Sequence, residues 1–140
     1  MLNSQKFPYK IIDASLSMVD RMPYVPITLG LNGQSLNTEG LVDTGASVNV
    51  LPYELGLKLG FIWESENLSV ILAGNLARFE ARAVIVEGQV TPFPIVNLAF
   101  AWTQAPNTPL ILGQANFLFE FDICFSRSQS EFEVRPRMVG

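Results

Sequence analysis

The chain has 140 residues, 49% hydrophobic and 16% charged, with 13 acidic side chains against 9 basic ones and a net charge of −4. That balance argues for an ordered globular chain, and the acidic excess without a basic stripe argues against a nucleic-acid partner. There is no histidine and a single cysteine, which removes Ser-His and Cys-His nucleophile pairs, imidazole-ligated zinc, cysteine metal sites and intrachain disulfides. No metal or other cofactor is therefore expected. The mean hydropathy is positive, high for a small monomer, as when a second chain covers part of the surface. No apolar stretch is long enough to cross a bilayer, and residues 1–10 lack the layout of a secretory signal. Read as a complete chain, the sequence is expected to be cytoplasmic and free of membrane, with residues 1–140 forming one domain.

Nine prolines and ten glycines punctuate short apolar runs, which predicts many short strands. Residues 1–22 show no clean period, and 13–20 are polar and undecided. Val25, Ile27, Leu29 and Leu31 alternate, and Asn32-Gly33 then predicts a two-residue type I′ turn with a return strand over 34–42. A short strand is expected over 47–51. Pro52 opens a helix to Leu59, with Leu51, Leu55 and Leu59 on one face and Gly60 as its stop. Strands over 68–72 and 79–86 flank a hairpin tip at Ala73-Gly74-Asn75-Leu76, where Gly74 and Asn75 both tolerate positive φ. Gly88 predicts a further turn, 92–100 an edge strand interrupted by prolines, and 102–109 a loop. Leu110-Ile111-Leu112-Gly113 reads as a short buried strand, 114–120 as two helical turns, and 121–125 and 131–135 as closing strands. The whole reads as one mainly β domain with one or two short helices.

Chemistry is concentrated at Leu41-Val42-Asp43-Thr44-Gly45-Ala46-Ser47. An aspartate on a tight turn after a buried strand presents its carboxylate at the floor of a cleft. Gly45 lets the backbone come close to that carboxylate, and the Thr44 hydroxyl can hold the loop. Two carboxylates about 3 Å apart cannot both ionise; they share a proton, and one acts as base while the other acts as acid. Such a pair activates water against a peptide carbonyl without histidine, metal or covalent intermediate. Asp-Thr-Gly alone is a common turn, so the apolar strand before it and the small residues after it carry the weight.

With Leu51-Pro52 entering a helix, the hairpin at Gly74-Asn75, and Leu110-Ile111-Leu112-Gly113-Gln114 before a helix and closing strands, the sequence over residues 23–136 resembles the retropepsin-like aspartic proteases, bacterial members in particular. The resemblance implies an all-β closed barrel with one flap hairpin. It also implies a two-fold internal pattern in which only the first half carries an aspartate, so Asp43 needs a second copy of itself across a homodimer axis, where the two Thr44 side chains interlock. The implied activity is peptide-bond hydrolysis by water held between two Asp43 carboxylates, with apolar residues preferred on both sides of the scissile bond. Asp43, Thr44 and Gly45 are the implied catalytic turn. Ala46, Ser47, Ile71, Leu72, Ala73, Gly74, Asn75, Leu76 and Ile111, with Val48, are the candidate substrate-binding residues, although each apolar one also suits a core. Gln114-Ala115-Asn116 stands where retroviral enzymes carry Gly-Arg-Asn or Gly-Arg-Asp, Ser47 replaces a frequent acidic residue, and the hairpin tip has one glycine. Ala46 stands where some aspartic proteases place a serine that stabilises the ionised aspartate, so a less acidic optimum is expected.

Two other readings stand beside this one: a catalytically silent peptide-binding or dimeric module of the same fold, and a plain β-domain with a chance tripeptide. Elsewhere the bland assignments prevail. Cys124 is expected to be a buried thiol, Asp122 a strand-edge charge, Trp63 and Trp102 core caps, and Arg78 and Arg82 part of a solvated hairpin face.

Overall fold

The computed structural model describes residues 4–11 and 21–138. The polar stretch 13–20 lies outside them. In chain order the strands are β1 (Gln5–Pro8), β2 (Lys10–Ile11), β3 (Arg21–Met22), β4 (Tyr24–Leu31), β5 (Gln34–Val42) and β6 (Asn49–Pro52). Helix α1 (Tyr53–Leu59) follows, then β7 (Ser69–Val70), β8 (Ala81–Gln89), β9 (Val96–Thr103) and β10 (Ile111–Leu112). Helix α2 (Phe117–Glu120), β11 (Phe121–Ser126) and β12 (Glu131–Pro136) complete the fold.

The alternation in β4 buries Val25, Ile27 and Leu29, and Asn32 and Gly33 adopt φ of 50° and 84°, as a primed hairpin turn requires. The turn sets the register from Leu31 opposite Gln34 to Tyr24 opposite Leu41. The sheet continues in the order β4-β5-β10-β6-β9-β8-β7, and β4 also pairs with β8, so six strands form a closed ring with β7 attached outside it. Closure leaves no edge in the ring. At the seam Leu29 lies opposite Gly88, where a Cβ would come within 2.5 Å of the Leu98 side chain. Gly88 is therefore not a turn but a point of close packing inside β8.

The ring encloses Val25, Leu29, Leu51, Val84, Val86, Leu98, Phe100 and Leu112, each worth about 1.5–3 kcal/mol when fully buried. A three-stranded sheet, β1-β12-β11, adds Phe121, Phe132 and Val134 to this core. Helix α1 starts directly after Pro52, which is extended, and stops at Gly60, whose φ of 103° and N–H to Leu57 O close its last turn. Leu59 is buried and Leu55 packs against the same core, as one helix face requires, whereas Leu51 is buried from strand β6 and not from the helix. Trp102 is fully buried, stacked on Tyr53 at 5.5 Å and edge-on to Trp63 at 5.0 Å. Both tryptophans are core residues, and β9 runs through Trp102 and Thr103, so the expected loop begins only after them.

Other expectations need correction. Pro92 lies in a turn and Pro94 in the irregular backbone that follows it, both ahead of β9, because proline has no N–H to give the ladder. Helix α2 is one turn rather than two. The first hairpin strand before Gly74 is shorter than expected, since β7 spans two residues and Leu72 is buried beyond it, while the second, β8, runs later, over Ala81–Gln89; Gly74–Leu76 form a 3-10 turn in which only Gly74 has positive φ. Cys124 is exposed, since Phe121 and Ile123 face the core and Cys124 shares the outer face with Asp122. Asp122 is a surface charge, 3.6 Å from Arg135. Arg82 is not part of a solvated face: its guanidinium lies 4.2 Å from the Trp63 ring centre and donates to the Trp63 carbonyl. Strands β1 to β3 had no sequence signal, because their residues are mostly exposed and alternate poorly.

Candidate active site

Strand β5 delivers Asp43 to the end of a parallel pair. Leu41 lies beside Ile111 and Val42 beside Leu112, and the Asp43 N–H donates to Leu112 O at 3.0 Å. The aspartate is thus seated by the strand that precedes Gly113. Its turn closes locally through Ala46 N–H to Asp43 O at 3.2 Å and Gly45 N–H to Asp43 Oδ1 at 2.9 Å. A Cβ on Gly45 would lie 3.3 Å from that same oxygen, tighter than ordinary contact. Asp43 is half-buried and Thr44, Gly45 and Ser47 are exposed, so the turn opens outward. Among the described residues no Lys, Arg, Asp or Glu makes a hydrogen bond or ion pair to Asp43; its carboxylate partner is the Gly45 N–H.

Residues 113–115 bind the far side of the turn. Gln114 N–H donates to Ala46 O at 2.8 Å, Ala115 N–H to Ser47 O at 3.0 Å, and Gln114 Nε2 to Thr44 O at 2.8 Å. Gly113 is required by this contact, because a Cβ there would lie 2.6 Å from Val48 O and 2.7 Å from Ala46 O. Backbone cannot yield as a flexible side chain can. Gly113→Ala is expected to cost about 1–3 kcal/mol and to separate the two segments; a denaturant midpoint equal to that of the parent would contradict this packing.

Behind the turn sits Asn49, fully buried. Its Oδ1 accepts from Gly113 N–H at 2.8 Å and Phe117 N–H at 3.3 Å. Its Nδ2 donates to Ala99 O at 2.9 Å and to Asn116 Oδ1 at 3.1 Å. Asn116 in turn accepts from Ala99 N–H at 3.0 Å and donates to Asn97 O at 3.0 Å. Asn116 is marked in the sequence only as part of Gln114-Ala115-Asn116, and Asn49 is not marked at all. The available signal was the lone amide between Val48 and Val50 in an otherwise apolar short strand.

The remaining candidate residues fall into two groups. Leu72 is buried in a small cluster with Val50, Ala81 and Ala101, against which Val48, Leu76 and Ile111 are partly buried. This cluster is separate from the barrel interior. Ile111 connects it to the aspartate, since Ile111 pairs with both Leu41 and Val50. Ile71, 91% exposed, and Ala73, Gly74 and Asn75 lie on the open part of the hairpin tip. A groove of about 250 Å³ runs between the hairpin arms, lined by Val70, Ile71, Arg78 and Phe79 among others but not by Asp43. Among the described residues no three potential metal ligands come together, and no helix is long and apolar enough to cross a membrane.

A closed barrel with an Asp-Thr-Gly turn pinned beneath a Leu-Gly segment defines the retropepsin-like aspartic protease class. The model of the aspartyl protease family matches residues 25–115, and the chain belongs to that family. Solved structures agree in fold. A retropepsin-like aspartic protease from Rickettsia conorii superposes with a TM-score of 0.62 at 16% identity, covering 94% of this chain and 91% of its own. The retroviral protease-like domain of Ddi1 from Leishmania major gives 0.59 at 16% identity, covering 84% and 94%. EIAV protease in complex with an inhibitor gives 0.52 at 19% identity, covering 72% and 88%. Comparison with curated protein sequences gives no match.

Proposed function

We propose that the protein is an aspartic endopeptidase that acts as a homodimer, with Asp43 of each copy forming the carboxylate pair. The observation that carries this reading is the outward-facing turn, in which Asp43 Oδ1 is held by Gly45 N–H and the backbone is tied to Leu112 and Gln114. A buried structural aspartate would have a cation or several donors; this one has a single amide and an open side. With one such turn per chain, the second carboxylate comes from a second copy. One member of the pair takes a proton from water as it attacks the peptide carbonyl, and the other donates its proton to the carbonyl oxygen.

Thr44, exposed beside Asp43, faces the second copy in this arrangement and steadies the pair. The substrate lies extended between the turn and the hairpin tip. Ala46 and Ser47 contact it from below. Ile71, Ala73, Gly74 and Asn75 close over it as a flap, and Leu72, Leu76 and Ile111 supply the apolar wall that sets the preference beside the scissile bond. Residues 1–140 act as one domain in the cytoplasm.

Measurement of solution mass together with cleavage of a peptide library, with and without a hydroxyl-bearing transition-state analogue, tests the reading. A dimer whose cleavage the analogue blocks is the expected result; a monomer indifferent to it would overturn the proposal. The missing hydroxyl at Ala46 gives a second test. In Ala46→Ser the new O–H can donate to the ionised carboxylate and extend that form to lower pH, so the optimum should move down by about half a pH unit or more. An optimum that stays in place or rises would refute that account of Ala46.

A further inference from the structure

We propose that Gln114 is a positioning residue for Asp43 and acts through the Thr44–Gly45 peptide; the proposal rests on the endopeptidase reading. The Thr44 carbonyl and the Gly45 N–H are two ends of one planar peptide unit. Gln114 Nε2 donates to that carbonyl at 2.8 Å, and the same unit's N–H donates to Asp43 Oδ1 at 2.9 Å. A carbonyl oxygen only accepts, so the NH₂ end of the glutamine faces it. The result is a chain of two hydrogen bonds running from Gln114 through the peptide to the carboxylate.

Such a chain has two effects. The first is orientation. Gly45 has no Cβ, and its φ is not among the positive values that mark a glycine-only conformation. Sterics at Gly45 thus leave rotation of the Thr44–Gly45 peptide cheap, and rotation would turn the N–H away from Asp43. Holding the carbonyl end fixes the N–H end before substrate arrives, which is the form of preorganisation that favours the transition state. The second is polarisation: an amide whose oxygen accepts a hydrogen bond is a better donor at nitrogen. The anchor itself is firm, because Gln114 N–H and Ala115 N–H are bonded to Ala46 O and Ser47 O, and Gly113 N–H is held by buried Asn49. Of the three bonds that residues 113–115 make to the turn, the one from the Gln114 side chain reaches the peptide that touches the carboxylate.

Gln114→Met keeps the length and flexibility of the side chain and removes the donor; Gln114→Arg restores a donor. kcat and KM are measured separately on one peptide, and the Gly45 amide is followed by its proton shift and hydrogen exchange. In Gln114→Met kcat should fall about threefold to tenfold, the scale of one ordinary hydrogen bond, with KM within about twofold. The Gly45 amide proton should move upfield and exchange faster while the Gln114 and Ala115 amides stay protected. Gln114→Arg should recover both readouts. An unchanged Gly45 amide in Gln114→Met, or a loss of protection across the whole turn, would overturn the proposal. A parent protein that cuts no peptide would overturn the endopeptidase reading alone, and the Gly45 amide would still decide whether Gln114 controls the peptide.

Discussion

Asp43→Asn is expected to reduce peptide cleavage between about pH 4 and 7 by at least about 10⁴-fold, leaving fold and assembly intact. The substitution is nearly isosteric. The amide oxygen can still accept from Gly45 N–H, and the backbone N–H to Leu112 O does not depend on the side chain. What disappears is the base: an amide takes no proton from water, and in a symmetric dimer both members of the pair are lost together. The parent and variant should share a thermal midpoint and solution mass, so the comparison isolates chemistry from folding. Cleavage that survives at a comparable rate would end the assignment of Asp43 and with it the proposed activity.

The largest stability effect is expected at Asn49. Asn49→Leu roughly preserves volume but leaves the Gly113 and Phe117 N–H groups without their acceptor and removes a donor from Ala99 O and Asn116 Oδ1. Stranding a buried polar group costs about 1–3 kcal/mol each, so a total of about 3–5 kcal/mol is expected. Against a typical stability of about 5–15 kcal/mol this is a large fraction. The denaturant midpoint should drop with its slope unchanged, and the thermal midpoint should drop on the order of 10 °C. A midpoint within error of the parent would show that water or rearranged backbone satisfies those groups, and that Asn49 does not hold Gly113.

The elements that were legible in the sequence share a local cause. Asn32-Gly33 reads as a primed turn because few residue pairs tolerate its φ values, and Pro52 and Gly60 bound α1 because neither can do otherwise at those positions. The Leu-Val-Asp-Thr-Gly and Ile-Leu-Gly segments, predicted on separate grounds, meet in the parallel pair of β5 and β10. Two of the misreadings share a cause: a residue's local habit is overruled by a side chain that another element brings against it. Gly88 looks like punctuation until Leu98 is seen against it. Arg82 looks solvated until Trp63 lies beneath it. Cys124 was misread for a different reason, since the period of two around Asp122 already placed it on the outer face. Asn49 is not marked in the sequence and Gln114 is marked only as a departure from the retroviral pattern, because a buried or bridging amide has no signature of its own; its meaning lies in which carbonyls and amides the fold brings to it.

The bond from Gln114 to Thr44 spans 70 positions, and that between Asn49 and Phe117 spans 68. A chain leaving the ribosome therefore carries Asp43 on its local hairpin and turn for some 70 residues before the strand that seats it appears. Leu112, Gly113 and Gln114 must emerge and then thread into a parallel pairing, the slow kind of contact because the long loop closes first. The ties from Leu112 and Gln114 form only after those residues emerge, so a polypeptide that stops short of them carries the sequence of the site without its geometry.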